Sequence, residues 1–180
     1  MKSNMLLVLA LLLILSGCTK QGYKSIEEAM KHGGIQYKQI YHQYEVKNGI
    51  ILFYENPSGG LDAGIVYKND NRYKWGFGGG TVSFSSQMDV DWGWVNLDYN
   101  VNDEDKQYQL YYGIIQAQSI NRLHIEDKGS NKYIDKDAEI VELQNGTKLW
   151  FALQDSYSEV YPGFILNGFS KDNKNVFHFE

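Results

Sequence analysis

The chain opens on a single unbroken apolar run and then changes character. Met5 to Leu15 (MLLVLALLLIL) is 11 residues of h-region behind the positive Lys2. That is shorter than the roughly 20 residues a membrane-spanning helix takes. Downstream, one short segment has helical spacing. Ser25 and Glu28 form a capping box, Ile26, Ala29 and Met30 make the apolar stripe, and Gly33-Gly34 is the stop signal. From Ile35 onward apolar and polar residues alternate with period two, between turn residues.

This alternation predicts strands over 37–46, 50–54, 61–68, 73–77, 81–84, 88–99, 108–116, 119–126, 138–143, 148–153, 163–169 and 175–179. Asn48-Gly49 and Asn145-Gly146 have the two-residue hairpin signature. Gly78-Gly79-Gly80 reads as the turn that ends a strand, and Asn102 to Lys106 as a charged turn. Two strands break the alternation. Ile50–Tyr54 and Leu149–Leu153 are apolar on both faces, which places them between two layers. In 88–99 the parity switches: Val90 and Trp92 share one face, Val95, Leu97 and Tyr99 the other. A bulge at Gly93-Trp94 would return all five to one face and turn Trp94 outward.

A faint repeat joins the two halves. Glu45-Val-Lys-Asn-Gly-Ile-Ile-Leu-Phe-Tyr54 aligns with Glu142-Leu-Gln-Asn-Gly-Thr-Lys-Leu-Trp-Phe151. The expected fold is therefore mainly β: an antiparallel sandwich or curved sheet built of two β-meanders, with one short N-terminal helix. No low-complexity linker divides the chain, so 25–180 reads as one domain. Composition agrees. Outside the signal the chain has 13 Ile and nine Val against nine Leu and five Ala, which favours strands over a helical bundle.

The apolar run is followed by Leu15-Ser16-Gly17-Cys18, which resembles the bacterial lipobox. The resemblance implies cleavage after residue 17 and a diacylglyceryl group on the Cys18 thiol, which becomes the new N-terminus. It implies a membrane partner through that anchor, on the extracytoplasmic face of the cell membrane. The small Ser16 and Gly17 suit a narrow peptidase subsite, and two acyl chains hold where one is marginal, at about 0.8 kcal/mol per buried methylene. Residues 18–24 would be the lipidated tether; extended, Thr19 to Lys24 reaches roughly 20 Å. Cys18 is the one cysteine, so its lipidation leaves no thiol for a disulfide or a metal.

Charge narrows the partners. Losing Lys2 with the signal moves the net charge from −5 to −6. An acidic domain argues against nucleic acid and gains nothing from anionic lipid.

The residues then offer little chemistry. His32, His42, His124 and His178 show no zinc spacing. Arg122, His124 and Glu126 share the outward face of one strand, opposite Leu123 and Ile125, and read as a solvated stripe. His178 points outward between Phe177 and Phe179. Asp89-Val-Asp91 lacks the length and ligands of a calcium loop. Trp75-Gly-Phe-Gly-Gly-Gly80 has neither the Lys-Ser/Thr nor the helix of a phosphate loop. The sequence thus predicts no catalytic set, no cofactor and no metal site, and a non-enzymatic protein. What stands out is the aromatic surplus: 14 Tyr, 8 Phe and 4 Trp, all outside the signal. Trp75, Trp92 and Trp94 are the candidates for ligand contact, with Trp94 the foremost.

Beyond the lipobox, Ser25-Ile-Glu-Glu-Ala-Met30, Lys74-Trp-Gly-Phe-Gly-Gly-Gly80 and Tyr112-Gly-Ile-Ile115 give the chain a pattern that resembles small membrane lipoproteins of Bacillus-like bacteria, a family without an assigned function. The resemblance supports the location and adds no mechanism. The expected role is a lipid-anchored binding or interaction module of the cell envelope with a protein or glycan partner. A glycan- or small-ligand-binding module is the alternative, and an envelope hydrolase a third.

Overall fold

The computed structural model describes residues 22–47, 49–101, 104–129, 133–154 and 163–180, with backbone alone over 98–101 and 104–107. The lipobox, Cys18 and Asn48 lie outside the described residues. Among the described residues one helix, α1 (Ile26–His32), precedes twelve strands. The first four, β1 (Ile40–Val46), β2 (Gly49–Glu55), β3 (Gly60–Asn69) and β4 (Arg72–Ser83), form a consecutive antiparallel meander. We term it sheet A. Strands β5 (Val90–Val101), β6 (Glu104–Ile115), β9 (Glu139–Glu142) and β10 (Lys148–Gln154) form sheet B, in the order β5-β6-β10-β9. Strands β7 (Arg122–Asp127), β8 (Asp135–Asp137), β11 (Phe164–Phe169) and β12 (Asn175–Phe179) form sheet C, in the order β12-β11-β7-β8. Every pairing is antiparallel.

The mainly β fold with one short helix is thus present, as three sheets of four strands. Three apolar clusters show how they stack. Ile51, Phe53 and Ile65 of sheet A meet Leu110, Tyr112, Leu149 and Phe151 of sheet B. The opposite face of sheet B, with Tyr111, Trp150 and Ala152, meets Leu123, Ile125 and Leu166 of sheet C. The outer face of sheet A, with Ile50, Leu52, Tyr54 and Val66, is covered by Ala29 and Met30 of α1. The order of layers is α1, A, B, C. Strands β2 and β10 are apolar on both faces because each lies in an inner layer, as their composition requires.

The same stacking overturns the expected bulge in β5. Its register against β6 is unbroken from Val90 to Val101. Val95 and Leu97 face sheet A while Val90 and Trp92 face sheet C. The parity switch marks two different layers rather than a bulge. The side chain of Tyr99 lies outside the described residues.

The glycine-rich stretch is also not a strand end. β4 runs through Gly78-Gly79-Gly80, with register shifts against β3 between Leu61 and Ala63 and between Gly64 and Val66. Trp75 explains the glycines. A Cβ on Gly64 would lie 2.3 Å from the Trp75 Cη2, and one on Gly78 2.7 Å from its Cζ2. The paired glycines leave the space that the indole fills beneath the helix end. Other boundaries moved for simpler reasons. The predicted turn at 102–106 is mostly strand, since β6 already starts at Glu104, with 102 and 103 outside the described residues. Strand β8, three exposed residues, carries no apolar signal to predict it.

The helix is built as its capping residues specify. Glu28 N–H donates to Ser25 Oγ at 3.1 Å, and the Glu28 carboxylate accepts from the Lys24 N–H at 3.0 Å. Ordered contacts begin before the helix. Tyr23 and Tyr73 exchange backbone hydrogen bonds of 2.7 and 2.8 Å, Arg72 Nη1 donates to Gly22 O at 3.3 Å, and the Tyr23 ring stacks on His32 at 4.1 Å. The chain is therefore fastened to β4 from Gly22 onward.

Candidate functional site

The two hairpins of the sequence repeat, β1–β2 and β9–β10, face one another across the A–B interface. Tyr44 meets Phe151 edge-on at 4.9 Å, and Phe53 lies 4.9 Å from Phe151. Each hairpin contributes an edge strand, β1 to sheet A and β9 to sheet B. Between them a cleft remains, a cavity of about 410 Å³ lined by Gln39, Ile40 and Tyr41 on one side and Val141 to Asn145 on the other. The lining is mixed: the Ile40, Val141 and Leu143 side chains supply apolar surface, and three amides, a phenol and the Glu142 carboxylate supply hydrogen-bonding groups.

The β1 wall is held by local chemistry. A bulge in the β1–β2 register falls between Ile40 and His42, which gives Tyr41 an extra-residue position. Its hydroxyl donates to Glu55 Oε2 at 2.6 Å, while Lys38 Nζ and Gln39 Nε2 reach the same carboxylate at 2.9 and 3.1 Å. The hydrogen bond from Tyr41, that from Lys38, and the Lys38 charge bring the Glu55 carboxyl down from 4.5 to about 2. Burial and the Glu55 contact push the Tyr41 hydroxyl up. Next to Tyr41, His42 lies among Phe53 and Phe151 at 6.0 and 5.8 Å, and burial lowers its pKa. The β9 wall ends in the Asn145-Gly146 turn. Asn145 Oδ1 accepts the Thr147 N–H at 3.0 Å, and Gly146 has φ +79, a left-handed geometry.

A second polar group lies on the outer face of sheet C. Leu123 and Ile125 are buried, and Arg122, His124 and Glu126 alternate with them on the other face, as the pattern predicts. They do not simply meet solvent. Strand β8 sets Asp137 opposite His124 and Asp135 opposite Glu126. His124 Nδ1 is 2.9 Å from Asp137 and Nε2 is 3.0 Å from Asp135, and Arg122 donates to Asp137 at 3.0 Å. Burial pushes the Asp137 carboxyl up, but the hydrogen bonds from His124 and Arg122 outweigh it and the net shift is downward. One ligand atom each from His124, Glu126 and Asp135 lies within 4.8 Å of the others, so this trio could hold a cation. Both ring nitrogens of His124 already have a carboxylate partner without one.

The three tryptophans are not brought together. Trp75 is half-buried against Tyr54 on the helix side of sheet A, its ring 6.1 Å away. Trp92 packs between sheets B and C, 4.7 Å from Phe164 and 5.3 Å from Phe179. Trp94 is 43% exposed. Trp75 lies in sheet A, whereas Trp92 and Trp94 lie two residues apart on β5 of sheet B, so the three form no common platform. Asp91 is spent on structure: its Oδ1 accepts the Trp92 N–H at 2.9 Å, and its carbonyl accepts from Trp150 Nε1 at 3.1 Å. His178 is exposed as expected and lies 2.9 Å from Asn167 Oδ1.

Sequence reasoning found the Arg122, His124 and Glu126 stripe but missed its β8 partners and the Glu55 cluster. The Glu55 cluster joins residues 14 to 17 positions apart, which no local motif reports. The Asp135 and Asp137 side chains share a parity, and that was the one available signal for β8. Comparison with protein-family models, with curated proteins and with solved structures finds no match, so the geometry of the chain itself carries the functional reading.

Proposed function

We propose that this chain is a lipid-anchored, extracytoplasmic binding module of a bacterial envelope, tethered through Cys18 and non-enzymatic, with the β1/β9 cleft as its contact surface. The observation that carries the reading is the position of the tether relative to the cleft. Tyr23 is fastened at the start of β4, beside the β3–β4 turn. In a meander that turn lies at the same end as the β1–β2 turn. The cleft residues Gln39 to Tyr41 lie at the other end of sheet A, where Ile40 pairs with Tyr54. The seven residues of β2 separate the two ends, roughly 20 Å at 3.3 Å per residue. A chain held at one end of that sheet presents the cleft at the other. Two strand edges and mixed polar lining suit an extended segment of an envelope protein. Among the described residues no helix is long and apolar enough to cross a membrane.

The anchor is tested by metabolic labelling with a fatty-acid analogue followed by fractionation. The native chain should carry the label and sediment with membranes. Cys18→Ala should lose the label and leave the membrane fraction. A Cys18→Ala variant that stays membrane-bound would overturn the anchor. The cleft is tested with a photo-crosslinking residue at Gln144 in intact cells. Adducts at Gln144 and none at the exposed Lys171 support the reading; equal adducts at both sink it.

A further inference from the structure

Strands β7 and β8 set four side chains in a square on the outer face of sheet C. His124 and Glu126 alternate on β7, and the ladder places Asp137 opposite the first and Asp135 opposite the second. The His124 ring reaches both aspartates, Nδ1 to Asp137 at 2.9 Å and Nε2 to Asp135 at 3.0 Å. A neutral imidazole has a single N–H. It serves only one of these carboxylates, and its other nitrogen then turns a lone pair toward an anionic oxygen. A cation between that nitrogen and its carboxylate, a proton or a metal ion, removes the conflict. Two observations favour the metal ion. A ligand atom of Glu126 comes within 4.8 Å of one His124 ring nitrogen and one Asp135 oxygen. Each N–H of an imidazolium already faces an aspartate, whereas a metal ion binds several oxygens at once. The charges also divide suitably. Arg122 pairs with Asp137 at 3.0 Å, and the Asp135 and Glu126 carboxylates together carry the charge that matches a divalent ion.

We propose that His124, Glu126 and Asp135 form a surface site for a divalent transition-metal ion such as Zn2+. The imidazole selects the class. Ca2+ and Mg2+ take shells of oxygen ligands, while zinc takes nitrogen and carboxylate oxygen together. Asp137 and Arg122 act behind the ligand. With Asp137 accepting the Nδ1 proton, Nε2 is the nitrogen turned to the metal, and Arg122 holds Asp137 in turn. Around a tetrahedral ion, ligand atoms at about 2.0–2.2 Å from the metal stand roughly 3.4 Å apart. The set has to contract, and side chains exposed by 26% at His124 and 47% at Asp135 have room to rotate. Two ligands come from β7 and one from β8, so the ion ties down a three-residue strand whose residues are all exposed. No local spacing announces the site, because its third ligand arrives on β8. It lies on sheet C and depends on neither the anchor nor the cleft.

The test uses the full chain in detergent, titrated separately with ZnCl2 and CaCl2. The imidazole nitrogen resonances report where each ion binds. Zinc should move the Nε2 resonance of His124 first, and calcium should leave it in place. His178 is the stringent control, since it is exposed and flanks Asn167 on the same cross-strand row. Removing a second-shell partner typically costs 10–100-fold in metal affinity. Asp137→Asn should therefore weaken the zinc titration at His124 by about 10–100-fold. Asp135→Asn and Glu126→Gln, which remove ligands, should weaken it by at least about tenfold, and His178→Gln should not change it. Zinc should also slow hydrogen exchange at the β8 amides. If a variant fails to fold, the zinc and calcium titrations of the native chain still decide. A His124 resonance that ignores zinc, that answers calcium equally, or that moves only after His178 would overturn the site. So would a zinc titration unchanged by both Asp135→Asn and Glu126→Gln.

Discussion

The two hairpins that share a sequence pattern are finished in different ways. In both, the second strand is apolar on both faces, and both send one face into the A–B interface, where Phe53 and Phe151 lie 4.9 Å apart. Their other faces differ. Strand β2 is covered by a seven-residue helix through Ala29 and Met30. Strand β10 is covered by a whole sheet, through Trp150 and Ala152 against Leu123, Ile125 and Leu166. A doubly apolar strand announces that it needs two covers. It does not announce what kind, because a helix stripe and a sheet face offer the same apolar surface to it. The covers should differ in cost of removal, and three substitutions measure that.

The largest effect is expected on the sheet-covered side. Trp150 is fully buried and its indole N–H also holds the Asp91 carbonyl of β5. Trp150→Ala should destabilise by about 3–5 kcal/mol, read from the urea midpoint at constant slope. A loss under about 1 kcal/mol would show that sheet C closes over the gap. On the helix-covered side, Met30 is equally buried but belongs to a single short helix. Met30→Ala should cost about 2–3 kcal/mol. Hydrogen exchange would show the opening confined to α1 and the outer face of sheet A. Spread of that opening to the sheet C amides would mean the layers unfold as one unit.

This difference in covers also explains how much was legible. Strand positions followed from alternation, and the inner-layer placement of Ile50–Tyr54 and Leu149–Leu153 followed from apolarity on both faces. The parity switch between Trp92 and Val95 carried the same message, but a two-layer picture forced it into a bulge; only a third sheet gives both parities a core. The Gly78–Gly80 stretch was misread because local sequence cannot show that Trp75, Gly64 and Gly78 meet across the ladder. The cleft was illegible for a related reason. It is the space between two edge strands a hundred residues apart in sequence, and neither edge has a motif. Cys18 is the reverse case, a reading from local sequence alone that lies outside the described residues.

A smaller effect isolates the helix cover from its packing. Ser25→Ala removes the oxygen that accepts the Glu28 N–H and leaves Met30 in place. It should cost about 1 kcal/mol. Because the cap acts only on α1, the sheet C amides should exchange as in the native chain. Equal loss of protection in both places would erase the distinction between the two covers.

The smallest effect concerns the point where the repeat ends. The alignment that pairs Tyr54 with Phe151 sets Glu55 opposite Ala152: the first hairpin closes on a carboxylate with three donors, the second on a buried methyl. Glu55 should therefore give the first hairpin a pH dependence that the second lacks. Its carboxyl titrates at about 2 in the fold and ordinarily at 4.5. A depressed carboxyl binds its proton more readily in the unfolded chain. Its contribution is present above about pH 4.5, where both states are ionised, and fades as the pH falls toward 2. The side chain is near the surface, so the contribution is modest and salt should reduce it further. Glu55→Gln should lower stability at pH 7 and converge on the native curve as the pH approaches 2. Tyr41→Phe, which removes the shortest of the three hydrogen bonds, should move the Glu55 titration upward in a carboxyl-resolved NMR experiment. Native and Glu55→Gln stability curves that stay parallel from pH 7 to pH 2 would show that the carboxylate is a bystander and that the two hairpins close alike.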